Sequence, residues 1–173
     1  MFCVQHGYTD VRVEGLTEED SFKITLPARG PVSTIKFSAG HPKILSVQRR
    51  KASVEFVNIF AENSMEKSLP IKSNSSDIIG FYWVFKNEYV VVITATTVEL
   101  YQCNPYRMTF KLVKSYTMAV SWAIYSPEEL VLLVCNKGTN IIQPFAFKQG
   151  VAVPITKLVK FEVDLPPSTM RDA

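Results

Sequence analysis

Val98-Glu99-Leu100 decides the fold, because the same strand-forming pattern returns at a nearly fixed distance along the chain. Val54-Glu55-Phe56 precedes it by 44 residues, and Val11-Arg12-Val13 lies a further 43 residues back. A second series runs out of phase with the first: Ile35-Lys36-Phe37-Ser38, Phe81-Tyr82-Trp83 and Ala123-Ile124-Tyr125-Ser126. Its aromatic positions Phe37, Trp83 and Tyr125 are 46 and 42 residues apart. A period of about 40–45 residues with four short strands per unit is the pattern of propeller blades. A blade cannot bury its apolar faces alone, so each depends on its neighbours.

Working outward, alternation of apolar and polar residues dominates, and helical periodicity is nearly absent. Phe22-Lys23-Ile24-Thr25-Leu26 and Val159-Lys160-Phe161-Glu162-Val163-Asp164-Leu165 alternate cleanly, which predicts one face on a core and one in water. Tyr89-Val90-Val91-Val92-Ile93 and Leu130-Val131-Leu132-Leu133-Val134 are apolar on both faces and predict strands covered on both sides. Read in order, the strands form quartets: 32–38, 44–48, 54–59 and a weak one near 67–71; then 78–85, 89–94, 98–103 and 109–115; then 120–126, 130–135, 141–147 and 155–165. Turn residues separate them, as at Ala39-Gly40-His41-Pro42, Lys86-Asn87-Glu88 and Lys137-Gly138-Thr139-Asn140.

Ahead of these, Phe2–Gln5, Val11–Val13 and Phe22–Leu26 supply the second to fourth strands of an incomplete blade. The expected fold class is all-β: an incomplete WD40-like β-propeller of about three full blades plus part of another, each of four antiparallel strands. Residues 1–165 form this partial propeller in that reading, and residues 166–173 a frayed tail without core-forming pattern. No later segment supplies the missing innermost strand, so the chain reads as part of a larger propeller.

Bulk properties exclude several classes. The 173 residues, 47% apolar, suffice for one globular domain, and 19 Lys+Arg against 16 Asp+Glu give a formal charge of only +3. That charge is too slight for a nucleic-acid footprint. The run from Tyr89 to Val98 carries no charge but is far shorter than the roughly 20 apolar residues of a membrane span. Met1-Phe2-Cys3-Val4 lacks the basic start of a signal peptide, and Phe2 excludes myristoylation, so the cytosol is the simplest compartment. Without secretion, the sequon Asn74-Ser75-Ser76 reads as chance. Three cysteines (Cys3, Cys103, Cys135) without CxxC spacing, and two histidines (His6, His41), do not make a zinc site and predict strand thiols in or near the core.

Searches for catalytic chemistry return no GxSxG elbow, no Ser–His–acid set, and no glycine-rich phosphate loop among seven dispersed glycines. No cofactor is implied. Glu18-Glu19-Asp20 reads as a solvated loop rather than an acid/base or metal site. The basic run Arg49, Arg50 and Lys51 follows Gln48 in a hairpin connection and is the one candidate contact with a partner or lipid. Each cation near an anionic leaflet is worth about 1 kcal/mol, so three give a marginal, salt-sensitive attraction, and a simple solvated turn is the competing reading. Phe81, Trp83, Trp122 and Phe145, at strand spacing without a basic groove, read as blade core rather than stacking platforms.

In order and spacing, several segments resemble the N-terminal propeller of the regulator of the Mon/Ccz complex family, also called colon-cancer-associated Mic-like proteins. They include Ile35-Lys36-Phe37-Ser38, Ile44-Leu45-Ser46-Val47-Gln48-Arg49, Ile79-Gly80-Phe81-Tyr82-Trp83, Glu99-Leu100-Tyr101-Gln102, Leu112-Val113-Lys114-Ser115, Gln143-Pro144-Phe145-Ala146-Phe147 and Lys160-Phe161-Glu162-Val163-Asp164-Leu165-Pro166. The GH and WD dipeptides of ordinary WD repeats are absent.

The resemblance implies a non-catalytic scaffold or regulatory subunit of the Mon/Ccz guanine-nucleotide exchange complex. Its partners would be the Mon and Ccz subunits and, indirectly, a late-endosomal Rab GTPase of the Rab-seven type in endosome maturation and autophagy. Its place would be the cytoplasm and, through the complex, the late endosome or lysosome surface. Measured against that family the chain lacks later blades and a helical region, so it reads as a fragment or short isoform expected to be poorly stable alone. Competing readings are a propeller adaptor in another vesicle coat or tether, a propeller enzyme, and a β-sandwich. The enzyme is disfavoured because the innermost strands offer mainly Ser33, Lys36, Ser121 and aromatics; the sandwich, because it needs no regular repeat.

Overall fold

The computed structural model describes the backbone of residues 2–6, 10–14, 22–25, 32–38, 41–49, 53–58 and 66–68, and of 77–164 apart from 86–87, 105–106 and 108; side chains are described at Thr34, Ile35, Lys36, Gln48, Val54 and through the last stretch. The described chain is all-β, in four antiparallel sheets that follow one another in sequence. The first contains β1 (Phe2–His6), β2 (Asp10–Glu14) and β3 (Phe22–Thr25). The second contains β4 (Val32–Ser38), β5 (His41–Arg49), β6 (Ser53–Asn58) and β7 (Glu66–Ser68). The third holds β8 (Ile78–Val84), β9 (Tyr89–Thr94), β10 (Thr97–Asn104) and β11 (Thr109–Thr117). The fourth holds β12 (Val120–Ser126), β13 (Val131–Asn136), β14 (Ile141–Phe147), β15 (Ile155–Lys157) and β16 (Phe161–Glu162). Each sheet is an up-and-down meander, the topology of a propeller blade, and the chain is a partial propeller.

Phase along the repeat explains which face of each sheet is covered. Val54, Val98 and Ile142 occupy one repeat position at intervals of 44 residues. Val54 packs with Phe81, Val90, Val92 and Tyr101 of the third sheet. Val98 packs with Leu132, Val134 and Phe145 of the fourth. The forward face of the second sheet therefore lies on the back of the third, and that of the third on the back of the fourth. Phe81, Val91, Ile93, Leu100, Leu132 and Phe145 are all sealed from solvent. Each such side chain is worth about 1.5–3 kcal/mol of burial, so these apolar joints outweigh any single polar contact between sheets.

The expected strands at 32–38, 89–94, 120–126 and 141–147 coincide with those observed. The last one does not. A single alternating strand over 155–165 is replaced by β15 and β16, which both pair with β14 at opposite ends. Val159 is 89% exposed and Phe161 45%, so these two of the alternating apolar residues face solvent instead of a core, whereas Val163 is half-buried. The cause is Pro144. Its carbonyl accepts from the Leu158 N–H at 2.9 Å, but proline has no N–H to return to the outer strand. The Gln143 side-chain amide takes that role, donating to the Leu158 carbonyl at 2.6 Å, and the chain departs from the ladder before rejoining it at Phe161.

Trp122 also differs from expectation: it is 39% exposed rather than blade core, whereas Phe81 and Phe145 are fully buried. The expected frayed tail at 166–173 lies outside the described residues.

Candidate functional site

Polar groups at the joints between sheets occupy a repeated position on the innermost strands. Lys36 on β4 donates from Nζ to the Phe81 carbonyl at 2.8 Å, and its ammonium stands 4.7 Å from the Phe81 ring centre and 4.4 Å from that of Tyr82. One repeat later, Tyr82 on β8 donates its hydroxyl to the Ala123 carbonyl at 3.2 Å. Phe81 and Ala123 are themselves equivalent positions, so both contacts clasp a sheet to the inner strand of the next. Burial lowers the Lys36 pKa and raises that of Tyr82, since each loses water around its charged form. Gln48 reinforces the first clasp, donating to the Ile78 carbonyl at 3.3 Å. The third equivalent position is Ile124, which has no donor and is 59% exposed.

A buried polar chain sits on the back of the third sheet. The Thr94 and Thr97 hydroxyls lie 2.8 Å apart, Thr97 donates to Glu99 Oε1 at 2.9 Å, and the Tyr101 hydroxyl donates to Glu99 Oε2. Thr94 Oγ1 also accepts the Thr97 N–H at 2.9 Å, closing the β9–β10 turn. Glu99 is fully buried, and such a carboxylate is tolerated only with partners of this kind. Gln143, 44 residues on, is the equivalent buried polar residue of the fourth sheet. The sequence reading noted Glu55 and Glu99 within their triplets and Gln143 within a separate segment, without linking Gln143 to Glu99 through the 44-residue interval that joins them.

The expectation of core thiols holds for the two described cysteines, Cys103 and Cys135, both buried and unbridged. Burial pushes the Cys103 thiol up to about 12, against a smaller lowering by the Val90 backbone, so at neutral pH it is a packing group rather than a nucleophile. It borders a cavity of about 320 Å³ with Gln102, Asn104, Thr109, Phe110 and Lys111 at the rim of the third sheet. Cys135 lines another, of about 210 Å³, with Ser121, Trp122, Thr139, Asn140, Ile142 and Val163. Among the described residues no group of three His, Cys, Asp or Glu could hold a metal ion, and no helix is long and apolar enough to cross a membrane.

Of the inner-strand polar residues, Lys36 serves the clasp and Ser121 donates to the Cys135 carbonyl at 3.3 Å; the Ser33 side chain lies outside the described residues. Arg49 ends β5, paired with Ser53 across the hairpin to β6. Its side chain, Arg50 and Lys51 lie outside the described residues.

The sequence matches the family described as "Regulator of MON1-CCZ1 complex, N-terminal" over residues 1–110. It is 38% identical to the mouse (Mus musculus) protein named Regulator of MON1-CCZ1 complex, and 37% identical to its human (Homo sapiens) counterpart, over 169 residues. Each alignment covers 96% of this chain and 25% of the relative, so the chain spans about a quarter of the length of these proteins. In three dimensions it resembles the β-propeller domain of Cps50 (Swd1) from Myceliophteria thermophila, with a TM-score of 0.66 at 12% identity, covering 89% of this chain and 52% of the other.

Proposed function

The chain belongs to the family of regulators of the MON1-CCZ1 complex, and on that premise we propose that it is a non-catalytic scaffold subunit that binds MON1 and CCZ1. In this reading the exchange reaction on a late-endosomal Rab GTPase is carried out by those partners. The chain supplies a rigid docking platform at the cytoplasmic surface of late endosomes and lysosomes, in endosome maturation and autophagy. The observation that carries the proposal is the family match over residues 1–110. The chemistry of the described residues is consistent with it: buried polar groups such as Glu99 and Gln143 are engaged in holding strands and turns. Arg49, Arg50 and Lys51 form the lipid-facing or acid-facing turn in this proposal, contributing about 1 kcal/mol each near an anionic leaflet.

The test is co-expression with MON1 and CCZ1 followed by size-exclusion chromatography. A stoichiometric ternary peak is the expected result. A folded chain that elutes apart from a MON1–CCZ1 peak would remove docking from these sheets and favour an adaptor role elsewhere. Reversing Arg49, Arg50 and Lys51 to Glu should leave the ternary peak intact while reducing co-flotation with anionic vesicles. Unchanged flotation would strike the turn from the membrane contact.

A further inference from the structure

One tetrapeptide occurs twice in the chain, at the outer border of consecutive sheets. Lys111-Leu112-Val113-Lys114 lies on β11, and Lys157-Leu158-Val159-Lys160 follows 46 residues later at the end of β15. All four lysines are exposed. Lys111 pairs with Gln102 and Lys114 with Leu100, and the register slip between these pairs sets two lysines three residues apart on one face. That face is the one the fourth sheet covers, because Leu100 packs there. Lys157 pairs with Phe145, which packs back against the third sheet. The exposure of Lys111, Lys114 and Lys157 is therefore that of an outer rim, not of an uncovered sheet face.

Tyr116 fastens the two borders together. Its ring centre is 5.1 Å from that of Phe145, and its hydroxyl donates to the Ile155 carbonyl at 3.3 Å. The Lys114 ammonium stands 5.4 Å from the same ring. The two tetrapeptides thus form one basic row along the outer wall, and neither residues 100–127 nor 130–161 contain an Asp or Glu to offset it. Beside the row, the hairpin from β14 to β15 projects past the last ladder pair, Phe147 and Ile155. The Lys148 N–H donates to the Pro154 carbonyl at 3.1 Å and closes its base, and Gly150 with φ +80° turns its tip. That tip leaves Val151, Ala152 and Val153 exposed in succession, the two valines by 42% and 44%. Three consecutive apolar residues left in water point to a function rather than to folding.

We propose that this outer wall is a peripheral membrane contact, in which the Val151–Val153 tip enters the headgroup region of an anionic bilayer and Lys111, Lys114 and Lys157 hold its phosphate-bearing surface. Two features of the wall select this occupant. Cations beside a short apolar tip match a bilayer interface on both counts. An acidic protein strand added to β11 would need an unbroken ladder, which the slip at Val113 interrupts, and it would leave the valines unused. The contact stands whether or not the chain serves MON1 and CCZ1.

The test is co-flotation of the full chain with vesicles of phosphatidylcholine, alone or with about 30% phosphatidylserine. Binding is expected only with phosphatidylserine and should weaken as salt is raised. At roughly fivefold per cation, replacing Lys111, Lys114 and Lys157 together by Gln should lower partitioning about a hundredfold. Val151→Ser with Val153→Ser should lower it about tenfold and leave its salt dependence unchanged. Lys137→Gln, in the turn between β13 and β14, should have no effect, and circular dichroism confirms each fold. The lysine losses should persist in a chain whose Arg49, Arg50 and Lys51 are reversed, which separates this contact from that turn. Absence of flotation, equal flotation with phosphatidylcholine alone, or a triple Gln variant that floats like the parent would overturn the assignment. Capture of the parent by polyglutamate without flotation would overturn it in favour of an acidic protein partner.

Discussion

The Tyr82 hydroxyl and the Ala123 carbonyl, 3.2 Å apart, join the third sheet to the fourth at the repeat position where Lys36 and Phe81 join the second to the third. Different side chains thus perform one task at one place in the repeat. Tyr82→Phe keeps the ring against Tyr125, whose centroid is 5.5 Å away, and removes only the hydrogen bond. The expected cost is about 0.5–1.5 kcal/mol, read as a lower urea midpoint with an unchanged slope. An unchanged midpoint would show that the clasp adds nothing to the apolar joint.

Glu99 accepts from two hydroxyls in a closed site, so truncating it creates a void and removes the acceptor of both donors at once. Glu99→Ala should destabilise by about 2–4 kcal/mol, well beyond the Tyr82 variant. Equal losses for the two would mean that water enters and replaces the carboxylate.

Cys103 makes alkaline stability a test of burial. With its thiol raised from 9 to about 12, the unfolded chain gives up this proton first as pH rises, and stability falls across that window. The slope is about 1.4 kcal/mol per pH unit, so between pH 8 and pH 10.5 the parent should lose about 2 kcal/mol more than Cys103→Ala. The lowered Lys36 acts in the opposite sense, because its unfolded form holds the proton longer, but it does so equally in both proteins. Parallel pH profiles for parent and variant would refute the buried-thiol account.

Gly138 turns β13 into β14 with φ +76°, and a Cβ built there meets nothing within 4 Å. Any penalty for Gly138→Ala is therefore backbone conformation alone, about 1 kcal/mol in a thermal or urea melt. A loss several times larger would indicate that the turn contacts something in solution.

How far the sequence carried the fold depended on which regularity it encoded. The 44-residue interval between Val54, Val98 and Ile142 fixes sheet after sheet, and with it the face each residue occupies. Alternation alone misled at residues 155–165, because the pattern of Val159 and Phe161 reports only a strand's own periodicity, whereas its continuity depended on Pro144 in the neighbouring strand. Trp122 was misplaced for a related reason: apolar character says that a face is meant to be covered, but not what covers it. The second repeat series already aligns Lys36, Tyr82 and Ile124, but the three share no chemistry, and only the contacts of Lys36 with Phe81 and of Tyr82 with Ala123 reveal the clasp. The basic run Arg49, Arg50 and Lys51 was legible as a hairpin connection, which the Arg49–Ser53 pairing matches.

The interruption at Pro144 has a consequence for how the protein behaves when crowded. A strand left at the border of a sheet offers a row of open amide and carbonyl groups on which another chain can zip, the route to fibres. In the fourth sheet that row is cut into segments of three and two residues, Ile155–Lys157 and Phe161–Glu162, too short to template an incoming strand. The third sheet ends instead in the nine-residue β11, guarded by the exposed cations Lys111 and Lys114 and by the register shift in β10 at Leu100 and Tyr101. Two unrelated devices, a proline-induced break and a pair of lysines on an irregular ladder, thus shield the outer borders of the third and fourth sheets from runaway strand addition.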